Sequence, residues 1–362
     1  MKISEEFKEY LGKISKKDKV MVYCGPDSDS ICSSVLFSKI FERQNGRSID
    51  YLIAEKTNKP GISEENKRFL QENKINKLIV LDIAIDNADK NTLEELTKYD
   101  TLVIDHHQIV RDLSSERILF IKPNKFSDIA SAQYPTSKIV FDLASDFVDV
   151  HDLDWICSIG VIADSSYKTW KDFVDQVVQK YKLRSEENIW QSDLGLISSY
   201  LSSAMIVDPS NYKECFEILS KSKQPREVLI SDLGRFKRDV DICIEELIKE
   251  FSSKAEAYSD LDLVFYQIKP KYKVGSPLST IISFREMPNK TLIVLQENDK
   301  TFSADARRQD GKINLAELMK KSVEGFENAS GGGHIPAAGA SFKKNDLPGF
   351  KENIKRNLKA LI

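Results

Sequence analysis

The sequence predicts an α/β protein of two domains: an N-terminal doubly wound, mostly parallel sheet with helices on both faces, a helical connector, and a smaller C-terminal α/β domain. In the first part, short apolar segments such as "KVMVYC" and "KLIVLD" alternate with helix-like segments such as "ICSSVLFSKIFERQ". Such alternation is typical of parallel sheets whose strands are buried on both faces. The length of 362 residues also favours about two domains.

Changes of pattern along the chain suggest where the domains meet. Residues 1–225 are predicted to form the first domain, in which strands and helices alternate to about residue 120 and helices follow. Apolar residues recur at spacings of three and four in "SDLGRFKRDVDICIEELIKEF", which predicts a long connector helix within 226–260. Segments such as "KTLIVLQEN", "INLAELMKKSVEGF" and "AAGASF" predict strands mixed with two helices in a second domain over 261–362.

The composition restricts the class of protein. The 53 Lys and Arg residues against 56 Asp and Glu residues give a net charge of −3, so any nucleic-acid binding must use a local site. The five cysteines show no paired spacing, as expected of reduced thiols. The N-terminus "MKISEEFKEYLGK" lacks the apolar block of a signal peptide, and the apolar segments are too short to span a membrane. We therefore expect a cytoplasmic protein without membrane attachment.

Four parts of the chain share one pattern, an apolar segment that ends in aspartate. These segments lead to Asp27 and Asp29, to Asp82, to Asp105 and to Asp164. Ligands of open α/β sheets bind outside the carboxyl ends of the strands, so the aspartates are expected to converge. On extended backbone, Asp27 and Asp29 would direct both side chains to one face. A capping or turn role is the commoner explanation for any one such aspartate, so the prediction depends on their joint occurrence.

The converging aspartates predict a metal site. Carboxylates brought together repel each other and raise each other's pKa unless a cation lies among them. His106 and His107 directly follow Asp105, and imidazole added to carboxylates suits Mn²⁺ better than an all-oxygen Ca²⁺ site. Two ions about 3.5–4 Å apart that share a carboxylate form an arrangement used to hydrolyse phosphate esters. We therefore expect a two-metal phosphoesterase that uses Mn²⁺, with Mg²⁺ as the alternative ion.

The second domain contains the glycine-rich segment "NASGGGHIPAAGASF". Gly331, Gly332 and Gly333 permit positive φ and leave backbone N–H groups uncovered, so an anionic group can approach the main chain. His334 offers an imidazole donor to the same anion. A flexible loop before a strand is the structural alternative. Together with a metal site in the other domain, the segment predicts a phosphate or nucleotide clamp.

Two adjacent arginines lie upstream of the glycines, in "SADARRQDGK". Arg307 and Arg308 are predicted to stand at a strand end, where a guanidinium group can bind phosphate through two hydrogen bonds. Adjacent arginines are more often solvated surface charge. We include both arginines as candidate substrate-binding residues.

The motifs and their order along the chain resemble those of the DHH phosphoesterase family with its DHH-associated C-terminal domain. The matching motifs are "PDSDS", "LIVLD", "DHH", "GVIAD" and "GGGH", and they span nearly the whole chain. The resemblance implies a two-domain hydrolase whose metal-binding and substrate domains face each other across a cleft. The segment from "KINLAELMKKSVEGF" to "GGGHIPAAGASF" is most similar to archaeal RecJ-like proteins, including the GINS-associated nuclease, which act on single-stranded nucleic acid.

The resemblance also implies roles for the motif residues. Five side chains would bind Mn²⁺: Asp27, Asp29, Asp82, His106 and Asp164. Asp82 would bridge two ions. The catalytic residues would be Asp105, His106 and His107. Of these, Asp105 and His107 would orient His106 or contact phosphate. His334 and the glycines before it would hold the substrate phosphate.

The sequence departs from the family at the first motif. Family members usually carry a metal-binding His four residues before the first motif aspartate, or an Asp or His two residues before it. Tyr23 and Gly25 occupy these positions here, and neither side chain is a good metal ligand. One of the two expected metal positions therefore lacks its usual protein ligand.

Three hypotheses for the function follow. The first is a Mn²⁺-dependent exonuclease of RecJ-like type that degrades single-stranded DNA or RNA. The second is a phosphodiesterase similar to nanoRNases, acting on short oligonucleotides or cyclic dinucleotides, which the modest chain length favours. The third is a replication-complex subunit with a degenerate site that binds GINS-like partners, and the departure at Tyr23 and Gly25 motivates it.

Overall fold

The computed structural model describes residues 3–56 and 60–360 of the chain. It divides into two compact units, Met1–Lys237 and Arg238–Ile362. Each unit contains one sheet, of five strands in the first and six in the second. The two-domain α/β class predicted from the sequence is confirmed.

The sheet of the first unit is entirely parallel. Its strands are β1 (Val20–Cys24), β2 (Tyr51–Ala54), β3 (Lys77–Leu81), β4 (Asp100–Ile104) and β5 (Ile118–Ile121). They lie in the order β2-β1-β3-β4-β5. The direction in which strands are added therefore reverses between β1 and β3, and this switch point is where open α/β sheets bind ligands.

Helices cover both faces of this sheet. They are α1 (Ile3–Gly12), α2 (Ser28–Asn45), α3 (Glu64–Glu72), α4 (Lys90–Leu96), α5 (Thr136–Ser145), α6 (Asp154–Ala163), α7 (Lys171–Lys180), α8 (Asp193–Val207), α9 (Tyr212–Lys221) and α10 (Pro225–Leu229). Alternate side chains of β1 enter different cores, because Val22 packs with α2, α5 and α6, whereas Met21 packs with α3 and α4. The doubly wound arrangement is therefore confirmed.

The second unit contains a mixed sheet. Its elements are β6 (Glu256–Tyr258), β7 (Leu263–Ile268), β8 (Thr291–Glu297), β9 (Thr301–Arg307), β10 (Ser330–Gly333) and β11 (Ala337–Lys343), with helices α12 (Gly275–Glu286), α13 (Leu315–Ser322) and α14 (Leu347–Lys359). The order is β10-β11-β9-β8-β7-β6, and β7 and β8 form its one parallel pair among the described strands. The sequence predicted two helices here, and the structure adds α14, whose Phe350 completes the core.

The predicted connector helix exists as α11 (Gly234–Lys254). It begins within the first unit and continues in the second, and the domain limits 225 and 260 remain predictions. No helix in the described ranges 3–56 and 60–360 has the length and apolar character needed to cross a membrane. All five cysteines are free thiols, as expected of a protein in a reducing environment.

Candidate metal centre

The candidate site begins at the carboxyl ends of three neighbouring strands. Backbone hydrogen bonds continue one residue beyond the strands, from Asp82 N to Ile104 O at 3.0 Å and from Asp105 N to Ile121 O at 3.2 Å. Both aspartates are buried. The ladder therefore places Asp82 and Asp105 side by side at the edge of the sheet, next to the switch point between β1 and β3.

Asp27 caps the helix that follows β1. Its backbone is extended, with φ −119°, and its carboxylate accepts from Ser30 N at 2.9 Å. The helix begins at Ser28, so the prediction that extended backbone directs Asp27 and Asp29 to one face is wrong. An aspartate that caps a helix ends the extended segment at its own position, which places Asp29 within the first helical turn.

The carboxylate of Asp29 joins α2 to α5. Its Oδ2 accepts from Thr136 N at 2.7 Å, and its Oδ1 accepts from Ser137 N at 3.2 Å. These N–H groups belong to the first turn of α5, where backbone donors have no partner within the helix. Burial raises the pKa of Asp29 to about 7, with the charge of Asp27 acting in the same direction.

Gly160 of α6 makes room for this contact. A Cβ atom at Gly160 would lie 2.4 Å from Asp29 Oδ1 and 2.1 Å from Ser137 Oγ. Both distances are shorter than any normal contact. The absence of a side chain at Gly160 therefore allows α2, α5 and α6 to approach around the carboxylate of Asp29.

We expect Gly160→Ala to destabilise the first unit by about 1–3 kcal/mol, because overpacking in a well-packed core costs this much. Gly12→Ala is the matched control, since a Cβ atom at Gly12 meets nothing within 4 Å, and its effect should stay within about 0.5 kcal/mol. Urea unfolding followed by circular dichroism measures both. Equal midpoints for the two variants would contradict the packing described here.

Asp82 lies at the centre of the site. Its Oδ2 accepts from Ser30 Oγ at 2.6 Å and its Oδ1 from Thr136 Oγ1 at 3.0 Å. Its backbone is left-handed, with φ 57°, a conformation that aspartate tolerates better than most residues. Burial raises the pKa of Asp82 well above its usual value, and the charges of Asp27 and Asp29 add to this effect.

His106 links Asp82 to a further carboxylate, that of Asp164. His106 Nε2 lies 3.5 Å from Asp82 Oδ1 and 3.2 Å from Asp164 Oδ2. Burial raises the pKa of Asp164 to about 9, with the charge of Asp29 as the next cause. Burial also lowers the pKa of His106, which favours the neutral imidazole that metals bind.

The shared sequence pattern predicted that Asp164 follows a strand, and this prediction is wrong. Asp164 follows α6, the helix formed by "DWICSIGVIA". Every residue of this helix except Ala163 is buried, so it shows no amphipathic period, and a fully buried helix cannot be told from a buried strand by pattern alone. The prediction of convergence nevertheless stands for Asp164, because its carboxylate lies beside His106.

Asp105 contacts His107 directly, whereas the resemblance implied that these two residues orient His106 or contact phosphate. Asp105 Oδ1 lies 2.7 Å from His107 Nδ1, and Asp105 Oδ2 lies 2.8 Å from Lys122 Nζ. Burial would raise the pKa of Asp105, but the hydrogen bond and charge of His107 and the charge of Lys122 hold it well below its usual value. The hydrogen bond to Asp105 raises the pKa of His107.

Lys122 is a fully buried cation shared by two aspartates. Its Nζ lies 2.8 Å from Asp105 Oδ2 and 2.8 Å from Asp86 Oδ1. Asp86 Oδ2 also accepts from Val110 N at 2.7 Å. These contacts tie the segment that carries the two histidines to the loop after β3.

The arrangement fits a divalent metal ion. Asp82, His106 and His107 offer ligand atoms that all lie within 4.8 Å of one another. Within the described residues, Asp164 Oδ2 and His106 Nδ1 are buried and make no hydrogen bond. Carboxylate oxygen and neutral imidazole are ligands that suit Mn²⁺. The residues at this edge of the sheet are therefore suited to hold such an ion.

Without metal, we expect the protein to lose stability as pH rises from about 5 to about 9. The folded pKa values of Asp164 and Asp29, about 9 and about 7, exceed the unfolded value of about 3.9. A raised folded pKa stabilises the folded state below the unfolded pKa, and this contribution is lost as pH rises through the folded pKa. A bound cation offsets the ionised carboxylates, so Mn²⁺ should stabilise the protein more at about pH 8.5 than at about pH 5.5.

Thermal unfolding with Mn²⁺ or with EDTA measures this effect. An ion present at 100 times its Kd contributes about 2.7 kcal/mol, which corresponds to roughly 5–10 °C in Tm for a unit of this size. We expect this increment near pH 8.5, a smaller one near pH 5.5, and a weaker pH dependence for Asp164→Asn. Equal increments at both pH values would contradict the role given to the buried carboxylates.

The glycine-rich segment of the second unit forms a hairpin. Gly331–Gly333 lie in the edge strand β10, which pairs antiparallel with β11, so the alternative of a flexible loop is wrong. A tight turn follows, in which His334 N donates to Ala337 O at 2.8 Å. His334 is exposed, and a Cβ atom at Gly332 would meet nothing within 4 Å. The main chain of β10 is therefore accessible at Gly332.

The two arginines lie beside this hairpin, and they differ. Arg307 is paired with Ala337 in the sheet, and its guanidinium donates to Thr280 Oγ1 at 3.1 Å and Ser276 Oγ at 3.0 Å on α12. Arg308 is buried, and its Nε lies 2.9 Å from Asp310 Oδ1. The charge of Arg308 is thus already paired within the unit, whereas in the described part of the chain the side-chain hydrogen bonds of Arg307 go to neutral groups, with the charge of Asp305 nearby.

Four residues at the site were not predicted: Ser30, Thr136, Gly160 and Lys122. The signal for Lys122 was present, because it follows the apolar segment "ILFI" as Asp82 follows "KLIVL". A pattern defined by apolar segments that end in aspartate does not include a cation at the same edge. The two hydroxyls and the glycine follow no such pattern, since their roles depend on how α2, α5 and α6 pack.

Solved structures share this fold. RecJ from Thermus thermophilus in complex with Mn²⁺ matches with a TM-score of 0.71 and 14% identity, over 99% of this chain and 55% of that chain. CDC45 from Entamoeba histolytica matches with a TM-score of 0.57 and 11% identity, over 99% and 98% of the two chains. A pGpG-specific phosphodiesterase from Vibrio cholerae matches with a TM-score of 0.51 and 12% identity, over 94% of this chain and 99% of that chain. This chain spans about half the length of the Thermus protein.

Family models identify both units. Residues 19–157 match the N-terminal domain of the DHH family, and residues 267–360 match the DHHA1 domain. No curated protein matches the sequence. The first match contains the edge formed by Asp82, Asp105 and His106, and the second contains the glycine hairpin. Residues 19–157 therefore form an N-terminal domain of the DHH family, and residues 267–360 form a DHHA1 domain.

Proposed function

We propose that this chain is a divalent-metal-dependent phosphodiesterase that degrades single-stranded nucleic acid as an exonuclease of RecJ-like type, with Mn²⁺ as its metal. The observation that carries the proposal is the cluster of Asp82, His106 and Asp164. The carboxylates of Asp82 and Asp164 lie within 3.5 Å of His106 Nε2, and the buried Asp164 Oδ2 makes no hydrogen bond among the described residues. A buried polar atom without a partner calls for an explanation, and coordination of an ion is one that suits a carboxylate beside an imidazole.

Each residue at the sheet edge has a distinct role in this proposal. Asp82, His106 and Asp164 would hold the ion, which supplies a Lewis acid and a water of lowered pKa when bound. Asp105 holds His107 through Nδ1 and raises the pKa of His107, and in the protonated imidazole the opposite nitrogen can donate to a phosphate oxygen or to the leaving group. His107 is exposed, as contact with a substrate requires. The catalytic roles of Asp105 and His107 are therefore orientation and donation.

The second unit would bind the substrate phosphate. The glycines of β10 carry no side chains, and Gly332 has open space around it, so a phosphate oxygen can reach the main chain. His334 lies exposed at the turn and would donate to the same group. Arg307 would exchange its neutral partners on α12 for phosphate, because a charged acceptor binds guanidinium more strongly. Arg308 is left out of this proposal, since Asp310 already pairs with it.

The substrates proposed are single-stranded DNA or RNA. Two other hypotheses remain as outcomes of the test below. One is a nanoRNase-like hydrolase of short oligonucleotides or cyclic dinucleotides. The other is a catalytically weakened subunit of a replication complex that binds GINS-like partners, which the Tyr23 and Gly25 positions motivate. We also propose a cytoplasmic location, in agreement with the free cysteines.

Hydrolysis of a graded set of substrates tests the proposal. The set contains single-stranded DNA labelled at either end, RNA of the same sequence, and a dinucleotide, each with Mn²⁺. We expect mononucleotides to be released from the long strands, and the label that is released first gives the polarity. Activity that rises as the strand shortens would favour the nanoRNase-like alternative. No cleavage of any substrate, together with binding to GINS-like proteins, would replace the proposal by the silent subunit.

A further inference from the structure

We infer that the metal centre of this chain binds one divalent ion, held by Asp82, His106 and Asp164, instead of the two ions predicted from the sequence. This inference rests on the proposed function and concerns the same site. It depends on the difference between the two sides of Asp82. One side faces His106 and Asp164, and the other faces Asp27.

The side that faces His106 offers three donor atoms, of which Asp82 Oδ1 also accepts from Thr136 Oγ1 at 3.0 Å. Asp164 Oδ2 lies 3.2 Å from His106 Nε2 and makes no hydrogen bond within the described part of the chain. Asp82 Oδ1 lies 3.5 Å from the same nitrogen. These three atoms come from the end of β3, the segment after β4 and the end of α6. A cation placed among them would meet two carboxylates and one imidazole, which together form a sufficient donor set.

The side that faces Asp27 is closed by a hydroxyl. Ser30 Oγ lies 2.9 Å from Asp27 Oδ1 and 2.6 Å from Asp82 Oδ2. Ser30 N also donates to Asp27 Oδ1. The two carboxylates are thus joined through Ser30, and Asp27 does not belong to the group of described side chains, Asp82, His106 and His107, whose ligand atoms lie within 4.8 Å of one another.

Tyr23 does not supply the missing ligand. Its side chain is fully buried and packs in the core that contains Met21 and Leu78. Its hydroxyl donates to the Glu55 carboxylate and also lies 3.0 Å from Gly61 O. A neutral phenol with two such acceptors is a poor metal ligand, and moving it would leave a buried hydroxyl without its partners.

The neighbouring positions are closed as well. The thiol of Cys24 lies 2.9 Å from Tyr212 Oη, and burial raises its pKa to about 12, so it does not become a thiolate ligand. Gly25 has no side chain, and a Cβ atom there would lie 2.5 Å from Ser30 Oγ and 2.6 Å from Asp82 O. The end of β1 therefore provides no donor for a second ion.

Counting bound Mn²⁺ tests the inference without any assay of activity. Purified protein is stripped with EDTA and titrated with Mn²⁺, while the free ion is followed by electron paramagnetic resonance and the loaded protein by native mass spectrometry. We expect one ion per chain in the wild type, one in Asp27→Asn and none in Asp164→Asn. Asparagine caps helices as well as aspartate does, so Asp27→Asn should keep α2 intact, which circular dichroism verifies.

The possible counts separate this inference from the proposed function. Two ions in the wild type, falling to one in Asp27→Asn, would overturn the inference and leave the metal-dependent function in place. A loss of the single ion in Asp27→Asn, or its retention in Asp164→Asn, would overturn the assignment of ligands. No bound ion in the wild type would overturn the proposed function as well.

Discussion

Asp82→Asn is expected to lower metal-dependent hydrolysis by at least about 100-fold, since even residues that only support metal ligands change affinity or activity by 10–100-fold. Asp82 is the carboxylate that contacts hydroxyls from both α2 and α5 and also faces His106. Asparagine keeps the size of the side chain and tolerates the left-handed backbone at φ 57°. The loss should therefore come from the missing charge and not from unfolding.

Two measurements accompany this prediction. Thermal unfolding without metal should show Asp82→Asn to be at least as stable as the wild type near neutral pH, because the variant removes a buried carboxylate that other carboxylates repel. The matched control is Asp89→Asn, which changes a cap of α4 and should keep full activity. An Asp82→Asn protein that retains wild-type hydrolysis would place the chemistry elsewhere.

Lys122→Met is expected to destabilise the first unit by about 3–5 kcal/mol, the usual cost of breaking a buried ion pair by removing one partner. The side chains of Lys122, Asp86 and Asp105 are all fully buried. Methionine matches the length of lysine but carries no charge, so both carboxylates would remain in the interior without their cation. Asp105 would keep His107 as a partner, which is why we do not expect a larger effect.

Lys125→Met provides the control for this variant. Lys125 lies three residues further along and pairs with Asp112 at 2.8 Å, but both side chains are partly exposed. Exposed ion pairs contribute about 0–1 kcal/mol. Urea unfolding of the two variants under the same conditions measures the difference. Equal destabilisation would show that the buried network does not hold the sheet edge as described.

The fold could be predicted because buried parallel strands leave a clear trace in the sequence. Each of the segments "KVMVYC", "KLIVLD" and "TLVID" forms a strand, and the residues after them meet because parallel strands end at one edge. Asp82 and Asp105 were placed at the site for this reason. Their positions follow from topology and need no knowledge of side-chain packing.

Other parts of the site could not be predicted because they depend on packing between helices. The segment before Asp164 is apolar on all sides, so the sequence does not distinguish a buried helix from a strand. Three consecutive glycines normally disfavour a strand. Gly331–Gly333 form part of a strand because they pair with the neighbouring strand β11. Ser30 and Thr136 contact Asp82 through tertiary packing alone.

The measurement that tests the central claim most directly is nucleotide release from single-stranded DNA by metal-free protein, before and after Mn²⁺ is added, beside His106→Gln. Glutamine keeps a polar side chain but lacks the imidazole that lies between Asp82 and Asp164. We predict release only with Mn²⁺, and at least about 100-fold less of it in the variant, as for loss of a metal ligand. Release that persists in EDTA, or equal release by both proteins, would contradict a metal-dependent active site at this edge of the sheet.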